Sequence, residues 1–196
     1  MKILAVSDIH GDLSFVNKLK KTIDKENIDL VILAGDQTWF ESSKKNLVGP
    51  LTKKTALIIP SNHDSEETVK AWEKMYPNLK NIHKKNFVKN GIGFFGSGTV
   101  DWGFQEDARI LFNELNSSHK KIQNLKKKIM VTHVPPTGSQ IEQLGFPGSD
   151  GVTKAIKKFS PDFLVCGHIH EGGGLIEKIY NTTVLNVSRT PTIFEI

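Results

Sequence analysis

The chain has 196 residues, 38% of them hydrophobic and 24% charged, the length of one ordinary domain (1–196) that can bury a core without staples. Its single cysteine, Cys166, excludes an internal disulfide and suits a reducing compartment. No apolar run approaches the roughly 20 residues that span a bilayer. The net charge of +5 is almost wholly lysine, as in Lys126-Lys127-Lys128 and the pair Lys44-Lys45, with arginine only at Arg109 and Arg189. Nucleic-acid readers favour the forked guanidinium, so a solvated lysine surface with a bias toward small anionic substrates is expected, without a nucleic-acid or membrane partner. The homo-oligomeric state is left open. The start of the chain, an apolar strand followed at once by Ser7-Asp8, lacks the core and cleavage site of a signal peptide, and a cytoplasmic protein is expected.

In chain order, Lys2–Val6 reads as a strand, followed by a polar turn. Leu13, Val16, Leu19 and Ile23 then line one helix face, with Asp12 as N-cap. Leu30–Ala34 and Ala56–Pro60 read as buried strands. Ser65 caps a second helix that has Glu66 and Glu67 at its positive end and Pro77 beyond its stop. Asn90-Gly91 joins the strands of a hairpin, and Gly96-Ser97-Gly98 reads as a loop. A helix through Ala108, Leu111, Phe112 and Leu115 precedes the strand Ile129–Thr132. A Pro- and Gly-rich loop from Pro135 to Gly151 leads to the helix face Val152, Ala155, Ile156 and Phe159, and then to the strand Phe163–Cys166. The tail, Leu175–Ile179, Thr183–Val187 and Thr192–Ile196, reads as antiparallel β-structure. Repeated strand–helix–strand units imply parallel neighbours, hence an α/β fold.

The chemistry lies where those strands stop. Asp8-Ile9-His10, Gly35-Asp36, Asn62-His63-Asp64, His133 and Gly167-His168-Ile169-His170 each follow or end an apolar run. In open α/β sheets, ligands bind beyond the carboxyl ends of strands. Core packing gives no reason for metal-ligand residue types at five successive ends. A lone Asp-x-His or a lone His133 is weak evidence, but the ordered set points to a two-metal hydrolytic site in which a carboxylate bridges cations about 4 Å apart. Mixed carboxylate and imidazole donors suit Mn, Fe, Zn or Co better than Ca or Mg.

This series, from Asp8 to His170, resembles the calcineurin-like metallophosphoesterase superfamily, whose pattern runs D-x-H, G-D, G-N-H-[D/E], H, G-H-x-H, and in particular its small branch without a cap domain. The resemblance implies a four-layer α-β-β-α sandwich. It also implies two divalent metal ions, manganese first, with Fe, Zn, Co, Ni or Mg as alternatives. Asp8, His10, Asp36 and His170 would hold one metal. Asp36, Asn62, His133 and His168 would hold the other, with Asp36 bridging. A hydroxide bridging the metals would attack phosphorus. His63 would stay off the metals, protonating the leaving oxygen or stabilising the phosphoryl oxygens, and Asp64 would orient His63 from behind. Two positions depart from the pattern. Ser61 stands where the family has glycine, and Asn186-Val187-Ser188 stands where Asn-Pro-Gly is common. Neither removes a ligand, and both bear on loop geometry.

The expected function is hydrolysis of phosphate esters, in particular phosphodiesters such as cyclic nucleotides or small aryl diesters. The alternatives are a nuclease of the same chemistry and a non-catalytic scaffold on the same fold. Specificity is expected in the loops Gln37–Lys45, Gly96–Phe104 and Pro135–Gly151. Trp39, Phe40 and Trp102 are expected to pack, although they could wall an aryl pocket. Cys166 is expected as core, His83 and His119 at the surface, Arg189 in a peripheral salt bridge and Glu171 behind the ligands.

Overall fold

A computed structural model of the chain describes residues 1–42 and 45–196. Lys44 of the Lys44-Lys45 pair, and with it part of the Gln37–Lys45 loop, lies outside the described residues. The first half of the chain forms β1 (Lys2–Val6), α1 (Leu13–Lys25), β2 (Leu30–Leu33), β3 (Thr55–Ile58), α2 (Glu66–Met75) and β4 (Leu79–Asn81). The second half forms β5 (Asn86–Lys89), β6 (Ile92–Ser97), α3 (Gln105–Lys120), β7 (Lys127–Thr132), α4 (Asp150–Phe159), β8 (Phe163–Cys166), β9 (Ile176–Ile179), β10 (Thr182–Asn186) and β11 (Thr192–Glu195).

Two sheets result, ordered β11-β1-β2-β3-β4 and β5-β6-β7-β8-β10-β9. Strands β1 to β4 are mutually parallel, as are β6, β7, β8 and β10. Strand residues alternate between two apolar environments, as strands covered on both faces must. Leu4 and Val6 of β1 and Val31 and Leu33 of β2 pack with Val16, Leu19, Val69 and Trp72 of α1 and α2. Ile3, Ala5, Leu30 and Ile32 face the other way and meet Phe94, Ile129, Val131 and Val165 of the second sheet. The outer face of that sheet packs on α3 and α4 through Met130, Leu111, Leu115 and Ile156. These layers make the expected α-β-β-α sandwich, and they bring the carboxyl ends of β1, β2, β3, β7 and β8 to a common edge.

The local signals hold at the helix starts. The Asp12 carboxylate accepts the Phe15 N–H at 2.9 Å, and the Ser65 hydroxyl oxygen accepts the Thr68 N–H at 3.1 Å. Asn90 and Gly91 take φ of 52° and 76° in the hairpin turn. Other expectations need correction. The three-residue β4 is too short to carry a sequence pattern. β6 continues through Gly96 and Ser97, which read as loop. A side chain at Gly96 would place its Cβ 2.6 Å from the Val131 carbonyl oxygen, so glycine there permits close strand packing. The tail is antiparallel only in part: β10 also pairs parallel with β8, and β11 crosses to the first sheet beside β1. His83 and His119, expected at the surface, are buried. Cys166 is core, as expected. No helix among the described residues is long and apolar enough to cross a membrane.

Candidate metal centre

Each expected ligand sits on the loop just after its strand, and the loops converge. Asp8 and His10 follow β1, Asp36 follows β2, Asn62 follows β3, His133 follows β7, and His168 and His170 follow β8. The backbone is forced to present them. Asp8, His10, Asp36 and His168 adopt φ of 57°, 48°, 54° and 73°, a left-handed conformation that costs most side chains energy and gathers at functional sites. Gly35, at φ 93°, could not carry a side chain, since its Cβ would lie 2.6 Å from His133 Nδ1 and 2.8 Å from Ser61 Cβ.

The donor atoms form overlapping groups: Asp8 with His10 and His170, and Asp36 with His133 and His168, each set of ligand atoms lying within 4.8 Å of one another. His170 Nε2 is 3.2 Å from Asp8 Oδ1 and 3.2 Å from His10 Nε2. His168 Nδ1 is 3.2 Å from His133 Nε2, which is 3.4 Å from Asp36 Oδ2. Asp36 Oδ2 also lies 3.7 Å from His10 Nε2, so this one carboxylate oxygen faces both groups.

Hydrogen bonds at the far side of three of the rings fix which nitrogen is free. His133 Nδ1 lies 2.9 Å from the Ala34 carbonyl oxygen and His10 Nδ1 lies 3.3 Å from that of Thr38. A carbonyl demands N–H, so each of these rings, when neutral, turns a lone pair on Nε2 toward the cluster. His63 is the reverse. Its Nδ1 accepts the Phe40 N–H at 3.3 Å, so the neutral ring carries its proton on Nε2, which faces Asp36 Oδ2 at 3.9 Å. His63 is close enough to be grouped with His10 and Asp36 as a ligand set, but this tautomer makes it a donor.

The carboxylates are gripped from behind. Asp8 Oδ2 accepts the Ser7 hydroxyl, the Ser188 hydroxyl at 2.8 Å and the His168 N–H at 3.1 Å, which leaves Oδ1 for the cluster. Asp36 Oδ1 accepts the Ser61 hydroxyl, whose oxygen accepts the Asp36 N–H at 2.7 Å, and Oδ2 is left free. Ser61 does not have a positive φ, so serine occupies the family's glycine position without left-handed strain. Both departures from the family pattern thus place a serine hydroxyl on a carboxylate of the expected ligand set.

Electrostatics agree with a cation site. Burial would raise the Asp8 carboxyl, but His170, the His133 charge and the two serine hydroxyls hold it well below the ordinary range. Burial acts the same way on Asp36 and is outweighed by His133 and Ser61. Burial opposes charge on His133, yet Asp36 and Asp8 push it up to about 9. Burial, then the His133 charge, lowers His168 to about 4. The anionic centre therefore draws one positive charge onto His133, the role a metal cation would take over. Asn62 Oδ1 is buried without a hydrogen-bond partner, a costly state for an amide oxygen that a cation beside it would relieve. The residues fit a metal.

Other expected contacts differ. Asp64 does not orient the His63 ring. Its Oδ2 accepts the Gln37 N–H at 2.6 Å and its Oδ1 the Thr38 N–H at 2.9 Å, fixing the loop after Asp36; burial raises its carboxyl to about 6. Arg189 forms the expected peripheral bridge, to Asp12 at 3.2 Å, and also donates to the Asp8 carbonyl oxygen at 3.3 Å. Glu171 is exposed, and its charge favours the protonated form of the neighbouring His170. Trp39, Phe40 and Trp102 do not pack away: they are 54%, 64% and 60% exposed. The Trp39 ring lies 5.1 Å from that of His10, the Phe40 ring 3.9 Å from that of His63, and the Trp102 ring 6.1 Å from that of His168. Sequence reasoning misses the serine hydroxyls and the Phe40 N–H. For Ser61 and Ser188 the signal is the departure itself; for Phe40 there is none.

The family model for calcineurin-like phosphoesterases matches residues 1–172. The chain is similar to a UPF0046 protein of Caenorhabditis elegans, 23% identical over 96% of this chain and 70% of that protein. Among solved structures it resembles TT1561 of Thermus thermophilus, with a TM-score of 0.79 at 20% identity over 96% of this chain and 90% of that one. It also resembles a novel archaeal phosphodiesterase, with a TM-score of 0.53 at 18% identity over 95% and 82% of the two chains. At these identities the structural likenesses show the fold.

Proposed function

The chain belongs to the calcineurin-like phosphoesterase family, and from that premise we propose that it is a hydrolase that uses two divalent cations to cleave small phosphate esters, phosphodiesters in particular. The observation that carries this reading is the convergence of His10, His133 and His168 on one carboxylate, Asp36, with Asp8 and His170 grouped beside His10, while Asn62 Oδ1 on the loop after β3 is buried without a hydrogen-bond partner. Asp8, His10, Asp36 and His170 would hold one cation, and Asp36, Asn62, His133 and His168 the other. When bound, such cations lower the pKa of water toward neutrality and offset charge on phosphoryl oxygens.

The protein's own groups do the rest. In the hydrolysis of a diester, water's oxygen joins phosphorus, the bond to the leaving oxygen breaks, and the products are a monoester and an alcohol, between which and solvent the two water protons are shared. His63 Nε2–H is aimed at the cluster and can donate a hydrogen bond to a phosphoryl or leaving oxygen. The neutral ring has no second proton to spare while Nδ1 accepts from Phe40, so His63 stabilises developing charge and the leaving oxygen takes its proton from solvent. The serines keep one oxygen of each aspartate turned inward, as outer partners of metal ligands do. We further propose a cytoplasmic protein acting as one domain, with manganese as the working metal and no nucleic-acid partner.

The test is hydrolysis of bis(p-nitrophenyl) phosphate with manganese, by wild type and by His63→Ala. The reading predicts activity in the wild type. In the variant, kcat should fall about 100-fold or more, the scale for losing a donor to developing charge, with manganese stoichiometry retained. A wild type that binds two metals and hydrolyses no phosphate ester would mark a scaffold on this fold.

A further inference from the structure

A cavity of about 430 Å³ opens directly beside the candidate centre, lined by the loop after β3, which supplies Asn62, and by the loop after β6, which supplies Thr99, Val100 and Trp102. Its size falls in the range of small-molecule pockets. Because Asn62 lines it, a phosphoryl group at the Asn62–His133–His168 side would send an ester arm into it.

The pocket is built in advance. Buried His83 links its walls: Nδ1 accepts the Gly98 N–H at 2.9 Å, and Nε2, which must then carry the proton, donates to Glu66 Oε1 at 2.9 Å. The Trp102 N–H donates to Asp107 at 3.3 Å, and the neighbouring Asp101 accepts the Ser149 hydroxyl at 2.6 Å. The loop is thus tied on both sides while the indole face stays open, which lowers the ordering cost of binding. Charge is balanced locally. Glu66 pairs with Lys84 at 2.6 Å and Lys70 at 3.2 Å, and Lys84 with Glu114 at 3.2 Å. Nothing here recruits a second charged group, whereas Trp102 and Val100 offer apolar surface to a flat ring. A second set of exposed rings, Trp39 and Phe40, stands against His63 at 4.9 and 3.9 Å, beside the group assigned to the leaving oxygen.

We infer that the substrate is a phosphodiester with flat, uncharged aromatic arms, that the Trp102 pocket seats the arm retained on phosphorus, and that the Trp39–Phe40 ledge faces the leaving arm. This rests on the phosphoesterase reading and adds the substrate's shape. Trp102 is a specificity residue for the retained arm, and Trp39 for the departing one.

The experiment compares two diesters with the same leaving group, bis(p-nitrophenyl) phosphate and methyl p-nitrophenyl phosphate, both with manganese. Their ratio of kcat/KM reports the retained arm, and comparing that ratio between variants cancels their different intrinsic reactivities. Trp102→Ala should lower the ratio about tenfold, mainly through KM, on the scale of losing an aromatic stacking platform; Trp102→Phe should keep most of it. Trp39→Ala should slow both diesters alike and leave the ratio in place. A direct readout is calorimetric binding of p-nitrophenyl phosphate, the product that keeps the retained arm, which should weaken about tenfold in Trp102→Ala. An unchanged ratio with unchanged product binding overturns the pocket assignment while leaving the phosphoesterase reading intact. A wild type that cleaves neither diester overturns both.

Discussion

Ser61 offers the sharpest perturbation, because its hydroxyl makes two bonds to a single residue, accepting the Asp36 N–H at 2.7 Å and donating to Asp36 Oδ1. In Ser61→Ala both are lost while the backbone keeps its Cβ. A hydrogen bond to a carboxylate contributes roughly 1.5–3 kcal/mol and a neutral one about 0.5–1.5. Water can re-solvate part of this half-buried spot, so a loss of about 2 kcal/mol of metal-free stability is expected. Metal affinity feels two opposed effects. Losing a donor makes the carboxylate more basic, which tightens binding; freeing it to rotate weakens binding. Rotation should win, because Oδ2 alone faces both ligand groups and Oδ1 keeps only the His63 N–H at 3.3 Å. The expected result is manganese affinity weakened about tenfold or more, within the range for outer partners of metal ligands. Isothermal titration calorimetry measures this, with urea unfolding of the metal-free protein as the companion assay. Ser61→Gly should be no better, since glycine adds backbone freedom to the same loss. An alanine variant that binds manganese as tightly as wild type would refute Ser61 as a positioning group.

Two further outcomes concern the fold around the site. His119 is buried at 8% exposure and stacked on Phe159 at 4.3 Å, and burial with the Lys128 and Lys158 charges lowers it to about 4. The unfolded chain, titrating near 6.5, then binds more protons between about pH 4 and 6.5. Its contribution is therefore complete above that window and is lost as pH falls through it, by at most about 3 kcal/mol. His119→Phe should flatten the pH dependence of urea midpoints between about pH 4.5 and 6.5; an unchanged slope would show that other groups set it. Gly35→Ala should lower the thermal midpoint, by about 2 kcal/mol of stability or more from its φ of 93° alone, and a variant as stable as wild type would contradict the close approach to His133.

The positions of the expected ligands were legible because each group follows or ends an apolar run, and apolar periodicity is what sequence displays most clearly. The helix starts were legible for a similar reason: Asp12 and Ser65 act on backbone groups three residues away. What stayed hidden depends on groups far apart in the chain. His83 looked like a surface residue because Glu66, 17 positions away, and the Gly98 amide meet it only once the sheets have formed. His119 stacks on Phe159 across the α3–α4 contact. Asp64 follows His63 in sequence, yet the fold commits its oxygens to Gln37 and Thr38 and leaves the Phe40 amide to set the His63 tautomer. Trp39, Phe40 and Trp102 read as packing because aromatic rings usually are; their exposure follows from loops pinned beside the site by hydrogen bonds that no local pattern announces.

In the proposed centre Asp36 joins two cations while His63 stays outside both coordination shells. Anomalous diffraction at the manganese edge, from crystals grown with manganese, tests this most directly. Two peaks are expected within about 4 Å of each other, both bonded to Asp36, one also to Asp8, His10 and His170 and the other to Asn62, His133 and His168, with His63 bonded to neither. A single peak, or His63 Nε2 bound to a metal, would contradict this arrangement.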